Sequence, residues 1–312
     1  MSPAIEVSEI QKSFRHLDAL SGITLTVPSG TVFALLGENG AGKTTLIRIL
    51  TGFLQADSGS ARVLGMDPAK HALEIRQRIG YVADQPGLYD WMRVGEIGWF
   101  ASSFYPAGFL DRFRDLMAGF EVKLIQRIRH LSKGQRAKVA LGLALAHEPQ
   151  LLILDEPTSG LDPLVRRQFL ESMVTRAAAG RTVLLSSHQI GEVERVADWI
   201  AIIHGGKTCV VKPLDELKAS VVEWLIHCDS SDIVLPETNG HVLSEVRHGR
   251  QIRMIIADPS DDDPSSLRNA TGVASIEPRC MSLEDIFVAY TRSVPIARRS
   301  EKSDSCVNHP VV

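Results

Sequence analysis

The stretch Gly37-Glu38-Asn39-Gly40-Ala41-Gly42-Lys43-Thr44 fits the pattern GxxxxGK[ST] at every specified position. Its glycines let backbone N–H groups wrap an anion without side-chain clash, and a helix starting at Lys43 would turn its positive end towards that anion. The flanking residues suit this. Thr31–Leu36 is a short, β-prone apolar run that reads as a buried strand, while Leu46, Ile47, Ile49 and Leu50 have helical spacing. Strand, glycine loop and helix in that order predict a cradle for the phosphates of a nucleoside triphosphate, built from Gly37 to Gly42 with Lys43, Thr44 and Thr45. Lys43 is expected to pair with the β- and γ-phosphates, and the Thr44 hydroxyl to bind Mg2+.

Further strands and helices alternate downstream. Leu151–Leu154, Thr182–Leu185 and Ala201–Ile203 read as buried strands, and Ser132–Ala146, Val165–Ala179 and Ile190–Ala197 as helices. This alternation predicts an α/β fold with a mostly parallel sheet covered on both faces. Asp155 and Glu156 follow the first of those strands, at the carboxyl end where ligands sit in such sheets. Asp155 is expected to hold Mg2+ through water, and Glu156 to accept a proton from an attacking water.

The chain has 312 residues, of which 44% are hydrophobic and 23% charged, which is ordinary for a soluble globular protein. A net charge of −3 argues against a whole-chain basic footprint for nucleic acid. Cys209, Cys228, Cys280 and Cys306 are far apart, so neither a zinc site nor a disulfide framework is expected, and reduced thiols in a cytoplasmic protein are the plain reading. The N-terminus lacks the apolar core of a secretory signal. Apolar stretches such as Val139–Ala146 fall short of the ~20 residues of a membrane-spanning helix, so the chain is expected to meet a membrane only from the side. Residues 5–8 and 23–27 alternate as strands, ended by the turn Pro28-Ser29-Gly30. Leu88–Arg129, rich in Phe, Trp and Arg, reads as a helical insertion. After Pro213, Val221–His227, Val242–Val246 and Gln251–Ala257 read as strands of a small α+β unit, interrupted by the acidic loop Asp258–Pro264 and closed by a Ser-capped helix, Ser282–Thr291.

Leu131-Ser132-Lys133-Gly134-Gln135 resembles the LSGGQ signature of ABC-type ATPases, with Lys133 in place of the first glycine. Other landmarks of that family stand in order along the chain. Gln85, in Tyr81-Val82-Ala83-Asp84-Gln85-Pro86, matches the Q-loop; Ser159-Gly160-Leu161-Asp162 matches the D-loop; His188, in Ser186-Ser187-His188, matches the switch histidine. Phe14 stands where the family stacks an aromatic residue, commonly Tyr, on adenine. The resemblance covers roughly residues 4 to 215. It implies a P-loop NTPase core of the RecA-like type with an antiparallel β subdomain, followed here by the C-terminal unit. The expected domains are therefore 1–215, with the helical subdomain at about 88–130, then 216–292 and a disordered tail at 293–312.

The resemblance also implies ATP and Mg2+ as ligands and a head-to-tail dimer in which each ATP lies between one chain's phosphate loop and the other's signature. Ser132, Gly134 and Gln135 would touch the γ-phosphate across that interface, with Asp162 beside it. His188 would hold the γ-phosphate and orient Glu156 and the water, and Gln85 would join Thr44 and Asp155 at Mg2+ and serve the catalytic group. One loop and one signature per chain require pairing with itself or a similar ATPase chain.

These residues admit two outputs. In one, the chain drives separate membrane-spanning permease subunits from the cytoplasmic face, through a surface on Leu88–Arg129 that includes Trp91, Trp99 and Tyr105. The signature LSKGQ, the stretch Ser186–Glu194 and Ser282–Phe287 look like the ATPases of ABC-2-type exporters. The alternative is a soluble ABC ATPase working on nucleic acid or ribosomes. One ATPase unit per chain, and a Thr45–Leu131 interval too short for sustained heptads, disfavour it, and no nucleic-acid partner is expected.

Overall fold

The computed structural model describes residues 2–158, 161, 163–231 and 233–293. The chain opens with β1 (Ile5–Phe14) and β2 (Leu17–Val27), and β3 (Val32–Leu36) leads through the glycine loop into α1 (Lys43–Leu50). Next come β4 (Ser58–Val63), α2 (Ala72–Arg78) and β5 (Ile79–Val82). The insertion holds α3 (Val94–Ser102) and α4 (Phe109–Gly119). The core then continues with α5 (Lys133–Leu145), β6 (Leu151–Asp155), α6 (Pro163–Ala178), β7 (Thr182–Ser187), α7 (Ile190–Val193), β8 (Trp199–His204) and β9 (Lys207–Pro213). The C-terminal elements are α8 (Leu214–Ser220), β10 (Val221–Cys228), β11 (His241–His248), β12 (Gln251–Ala257), α9 (Asp263–Arg268), β13 (Val273–Cys280) and α10 (Leu283–Ser293).

The central sheet has the order β5-β6-β7-β3-β8-β9 and is parallel except for the antiparallel edge β9. Its inner strands are apolar on both faces, and their side chains alternate between two cores. Val32, Ala34 and Leu36 of β3 join Leu152, Leu154, Val183 and Leu185 on one side. Phe33 and Leu35 join Leu151, Ile153 and Leu184 on the other, with Leu46, Ile47 and Leu50 of α1 packed beneath. That second core also takes in Ile5, Val7, Ile23 and Leu25 from a three-stranded antiparallel sheet, β2-β1-β4. The α/β class with an antiparallel β subdomain and a helical insertion is therefore present.

The insertion has its own small core, in which Phe109, Phe113 and Met117 of α4 meet Val94 and Ile97 of α3 and Val139 of α5. Trp91 and Trp99 are largely exposed, whereas Tyr105 is half-buried, its ring close to parallel with those of Phe109 at 4.8 Å and His147 at 4.4 Å. The helix read over Ile190–Ala197 stops at Val193. Beyond it the backbone tightens into turns, with Val196 N donating to Val193 O at 3.0 Å.

The C-terminal sheet is antiparallel, with the order β11-β12-β10-β13. Trp224, Ile226, Met254 and Ile256 on one face bury Leu267 of α9. Leu243, Ile255 and Ala257 join Ile286, Ala289 and Tyr290 of α10 in the first core of the central sheet. Burial pushes the Tyr290 phenol up to about 12, so it stays neutral there. The acidic loop read over Asp258–Pro264 is partly helical, since α9 begins at Asp263. Asp263 is 1% exposed, and its carboxylate accepts hydrogen bonds from the backbone N–H groups of Asn239 (2.7 Å), Gly240 (3.1 Å) and Ser260 (2.7 Å).

Burial alone would raise the Asp263 pKa, but these donors outweigh it and hold the group below its ordinary 3.8. A folded-state pKa below the unfolded one contributes stability that is full above about pH 4 and is lost as pH falls through the folded value. Asp263→Ala is expected to lower stability by about 2 kcal/mol at pH 7, because it orphans three backbone donors. The difference from wild type, measured by denaturant unfolding, should shrink below pH 4.

Candidate functional site

Register brings the site together. In the parallel pairing of β3 with β7, Leu36 stands opposite Ser187, and in that of β6 with β7, Asp155 stands opposite Ser186. The loop after Leu36, the carboxylates at Asp155 and Glu156, and His188 therefore leave one end of the sheet at neighbouring positions. Gly42 caps α1 in a left-handed conformation, φ 106°, where an added Cβ would lie 2.6 Å from the Ala19 carbonyl oxygen. Only glycine fits that close approach.

Lys43 is 5% exposed. Its Nζ donates to the carbonyls of Gly37 at 2.6 Å and Glu38 at 3.3 Å, and lies 3.1 Å from Glu156 Oε1. That last contact is an ion pair outside hydrogen-bond geometry. The other oxygen, Glu156 Oε2, is 2.7 Å from His188 Nδ1 and accepts the His188 backbone N–H at 3.3 Å. A carboxylate only accepts, so the Nδ1 contact puts a proton on Nδ1. Asp155 is 1% exposed, and its Oδ1 accepts from Ser186 Oγ at 2.7 Å. Glu156 has a left-handed backbone, φ 49°, and its N–H reaches Ser186 Oγ at 3.1 Å and Ser186 O at 3.2 Å.

The other sequence-derived residues are distributed around this group. Glu38, Asn39 and Gly40 are exposed at the loop crest, and Ala41 is buried. Thr44 is exposed and Thr45 half-buried on the first turn of α1, and Gln85 is exposed in the segment after β5. Phe14, 44% exposed at the end of β1, has Lys12 Nζ 5.6 Å from its ring centre. Ser132 and Gln135 form a reciprocal cap on α5: Ser132 Oγ accepts from Gln135 N at 3.2 Å, and Gln135 Oε1 from Ser132 N at 3.0 Å. Lys133 is exposed and Gly134 half-buried. Among the described residues, no hydrogen bond or ion pair links Ser132–Gln135 to the Lys43–Glu156–His188 group. Asp162, like Ser159 and Gly160, lies outside the described residues, as does the expected tail from 294 onwards.

Sequence reasoning missed two features. Ser186 bridges Asp155 and Glu156, and only its place beside Ser187-His188 hinted at a role. Buried Thr158 donates to Glu192 Oε2 at 3.0 Å while Arg166 pairs with Glu192 Oε1 at 2.6 Å, tying the segment after Glu156 to α7. A groove of about 360 Å3 runs beside the Gln85 segment, lined by Tyr81, Pro86, Leu88, Ala101, Tyr105 and His147 among others. Burial, chiefly, pushes the His147 imidazole down and keeps it neutral. Thr44, Gln85 and Asp155, expected from the sequence to hold Mg2+, each offer a side-chain oxygen, the donor type that would suit Mg2+ held by few protein ligands together with substrate phosphates.

Residues 20–159 match the family model described as ABC transporter. Along its length the chain is similar to the Nod factor export ATP-binding protein I of Burkholderia lata, at 31% identity over 92% of this chain and 96% of that one. It is 34% identical to a daunorubicin resistance ATP-binding protein of Streptomyces coeruleorubidus over 75% and 74% of the two chains, and 29% identical to the bacitracin transport ATP-binding protein of Bacillus licheniformis over 92% and 97%. Among solved structures, the ATP-binding subunit of an ABC transporter superposes with a TM-score of 0.64 at 31% identity, covering 69% of this chain and 92% of that one. A dimeric bacterial ABC transporter cassette, 21% identical, shares the fold with a TM-score of 0.61 over 67% of this chain and 98% of that one. With its glycine loop, acidic strand end and histidine at one end of a matching fold, and with similarity running nearly the full length of such relatives, this chain belongs to the ATP-binding proteins of ABC transporters.

Proposed function

We propose that the chain hydrolyses ATP at the Lys43–Glu156–His188 group and uses the cycle to drive separate membrane-spanning subunits, as an exporter. The observation that carries this reading is the shared Glu156 carboxylate, 3.1 Å from Lys43 Nζ through one oxygen and 2.7 Å from His188 Nδ1 through the other. A residue held between a phosphate-seeking ammonium and an imidazole is positioned to take a proton from a water attacking phosphorus. Gly37 to Gly42 wrap the phosphates with backbone N–H groups, and Lys43 offsets charge on the β- and γ-oxygens. His188 orients Glu156. Thr44, Asp155 and Gln85 would hold Mg2+, which when bound neutralises phosphate charge. Phe14 would stack on the base.

The signature at Ser132–Gln135 carries no bond to this group among the described residues, and each chain has one copy of each. Ser132, Gly134 and Gln135, together with Asp162 on the family resemblance alone, are therefore assigned to the ATP held by a second chain, either a copy or a similar subunit. The export direction draws support from relatives named for bacitracin transport, daunorubicin resistance and Nod factor export. No helix among the described residues is long and apolar enough to cross a membrane. The mostly apolar groove beside Gln85 is assigned to a segment of the membrane-spanning partner at the cytoplasmic face. Residues 1–215 are taken as the ATPase unit, about 88–130 as its helical subdomain, and 216–292 as an accessory unit.

Glu156→Gln keeps the shape but cannot take a proton. Hydrolysis should fall by at least ~100-fold, and an ATP-bound dimer should accumulate on size-exclusion chromatography. Unchanged turnover would remove Glu156 from the role of base. The full chain, purified from detergent-solubilised membranes of its own host, is expected to bring a membrane-spanning chain with it. Ala101→Glu, which places a charge in the groove wall, should abolish this co-purification while ATP binding persists; recovery without any membrane protein would rule out the transporter reading.

A further inference from the structure

We infer that Ser186 is a positioning residue that sets the metal-facing carboxylate and the base with one hydroxyl. The inference rests on the assignment of Asp155 to Mg2+ and of Glu156 to hydrolysis made above. Ser186 is wholly buried at the end of β7, the strand lying between β3 and β6. Its Oγ donates to Asp155 Oδ1 at 2.7 Å and accepts the Glu156 N–H at 3.1 Å, so both capacities of a single hydroxyl are used on adjacent functional residues. No other side chain among the described hydrogen bonds reaches Asp155.

The two bonds act on different degrees of freedom. Donation to Oδ1 fixes the rotation of the Asp155 carboxylate and leaves its other oxygen to face a ligand. Acceptance from the Glu156 N–H holds the backbone at the one residue of this strand end with a left-handed φ, 49°. That conformation is disfavoured for a non-glycine residue and persists only when its surroundings determine it. It swings the Glu156 side chain out of the strand's alternation, towards Lys43 and His188. Removing the hydroxyl leaves the Ser186 carbonyl as a second acceptor for Glu156 N, at 3.2 Å, so the strand end survives while the carboxylate of Asp155 is released. A partner of a metal-facing carboxylate is typically worth ~10–100-fold in metal affinity or activity.

The test uses the full chain as wild type, Ser186→Ala, Ser186→Thr and Glu156→Gln. Fluorescence of an N-methylanthraniloyl-labelled ATP reads binding without Mg2+ and the Mg2+ concentration that half-saturates the tightened complex; steady-state ATPase gives kcat and KM, and a thermal melt monitors folding. Ser186→Ala should raise the half-saturating Mg2+ by about tenfold and lower kcat by a similar factor, with metal-free nucleotide binding and melting temperature near wild type. Ser186→Thr, which restores the hydroxyl, should recover both. An unchanged Mg2+ requirement in Ser186→Ala overturns the inference. So does a loss that tracks a lowered melting temperature and weaker metal-free binding. A wild-type chain that does not hydrolyse ATP, while Ser186→Ala still shifts the Mg2+ requirement, would support the role of Ser186 and overturn the hydrolytic reading alone.

Discussion

β7 lies between β3 and β6 and runs parallel to both, so three strand ends are levelled against one another by backbone hydrogen bonds. Every charged group of the candidate site depends on that levelling. Leu36 delivers the glycine loop, Asp155 and Glu156 end the next strand but one, and Ser186 to His188 end the strand between them. Because side chains alternate along a strand, a one-residue slip of β7 would exchange the two cores and send Ser186 away from Asp155. The apolar pattern prevents it: Val183 and Leu185 bury on one face and Leu184 on the other, and each core rejects the opposite assignment.

This scaffold buries charges that are costly unless paired. Lys43 is compensated by two loop carbonyls and by Glu156, which in turn holds His188. The loop carbonyls that receive the ammonium belong to the same segment that leads into α1. The buried ammonium is held both by these carbonyls and by a carboxylate with a second partner of its own. Removing either partner of the Lys43–Glu156 pair leaves the other buried with weaker compensation, so the two depend on one another.

The parts of the fold that the sequence made legible are those in which local pattern and burial agree. Lys43–Leu50, Ser132–Ala146 and the apolar runs at Leu151–Leu154 and Thr182–Leu185 correspond to α1, α5, β6 and β7. The strands that escaped notice, β4, β5, β9 and β13, are all edges of their sheets. In β4 only Val63 is buried and in β13 only Ile276, and Gly59 and Pro278 lie within them. An edge strand is identified by the neighbour it pairs with, and its own residues need not alternate or run apolar. The site divides along the same line. Lys43, Asp155, Glu156 and His188 announce themselves by type and position. Ser186 does not, because a serine in an apolar strand gains meaning only when the register sets it opposite a particular aspartate.

The signature segment makes a different use of local chemistry. Ser132 and Gln135 spend their side chains on each other, satisfying two backbone donors at the start of α5. The N–H groups of Lys133 and Gly134 are left at the helix start without intrahelical partners. A thirteen-residue helix adds its dipole to those donors, and exposed Lys133 adds a full positive charge. This is an anion-directed surface, while the buried Lys43 of the glycine loop draws its compensation elsewhere, from Gly37, Glu38 and Glu156. Among the described residues no bond joins this surface to the Lys43–Glu156–His188 group, and in the head-to-tail pairing proposed above the two would face one another across two chains. The Ser132–Gln135 cap would hold the one surface in shape there, as the Glu156 contacts to Lys43 and His188 would hold the other.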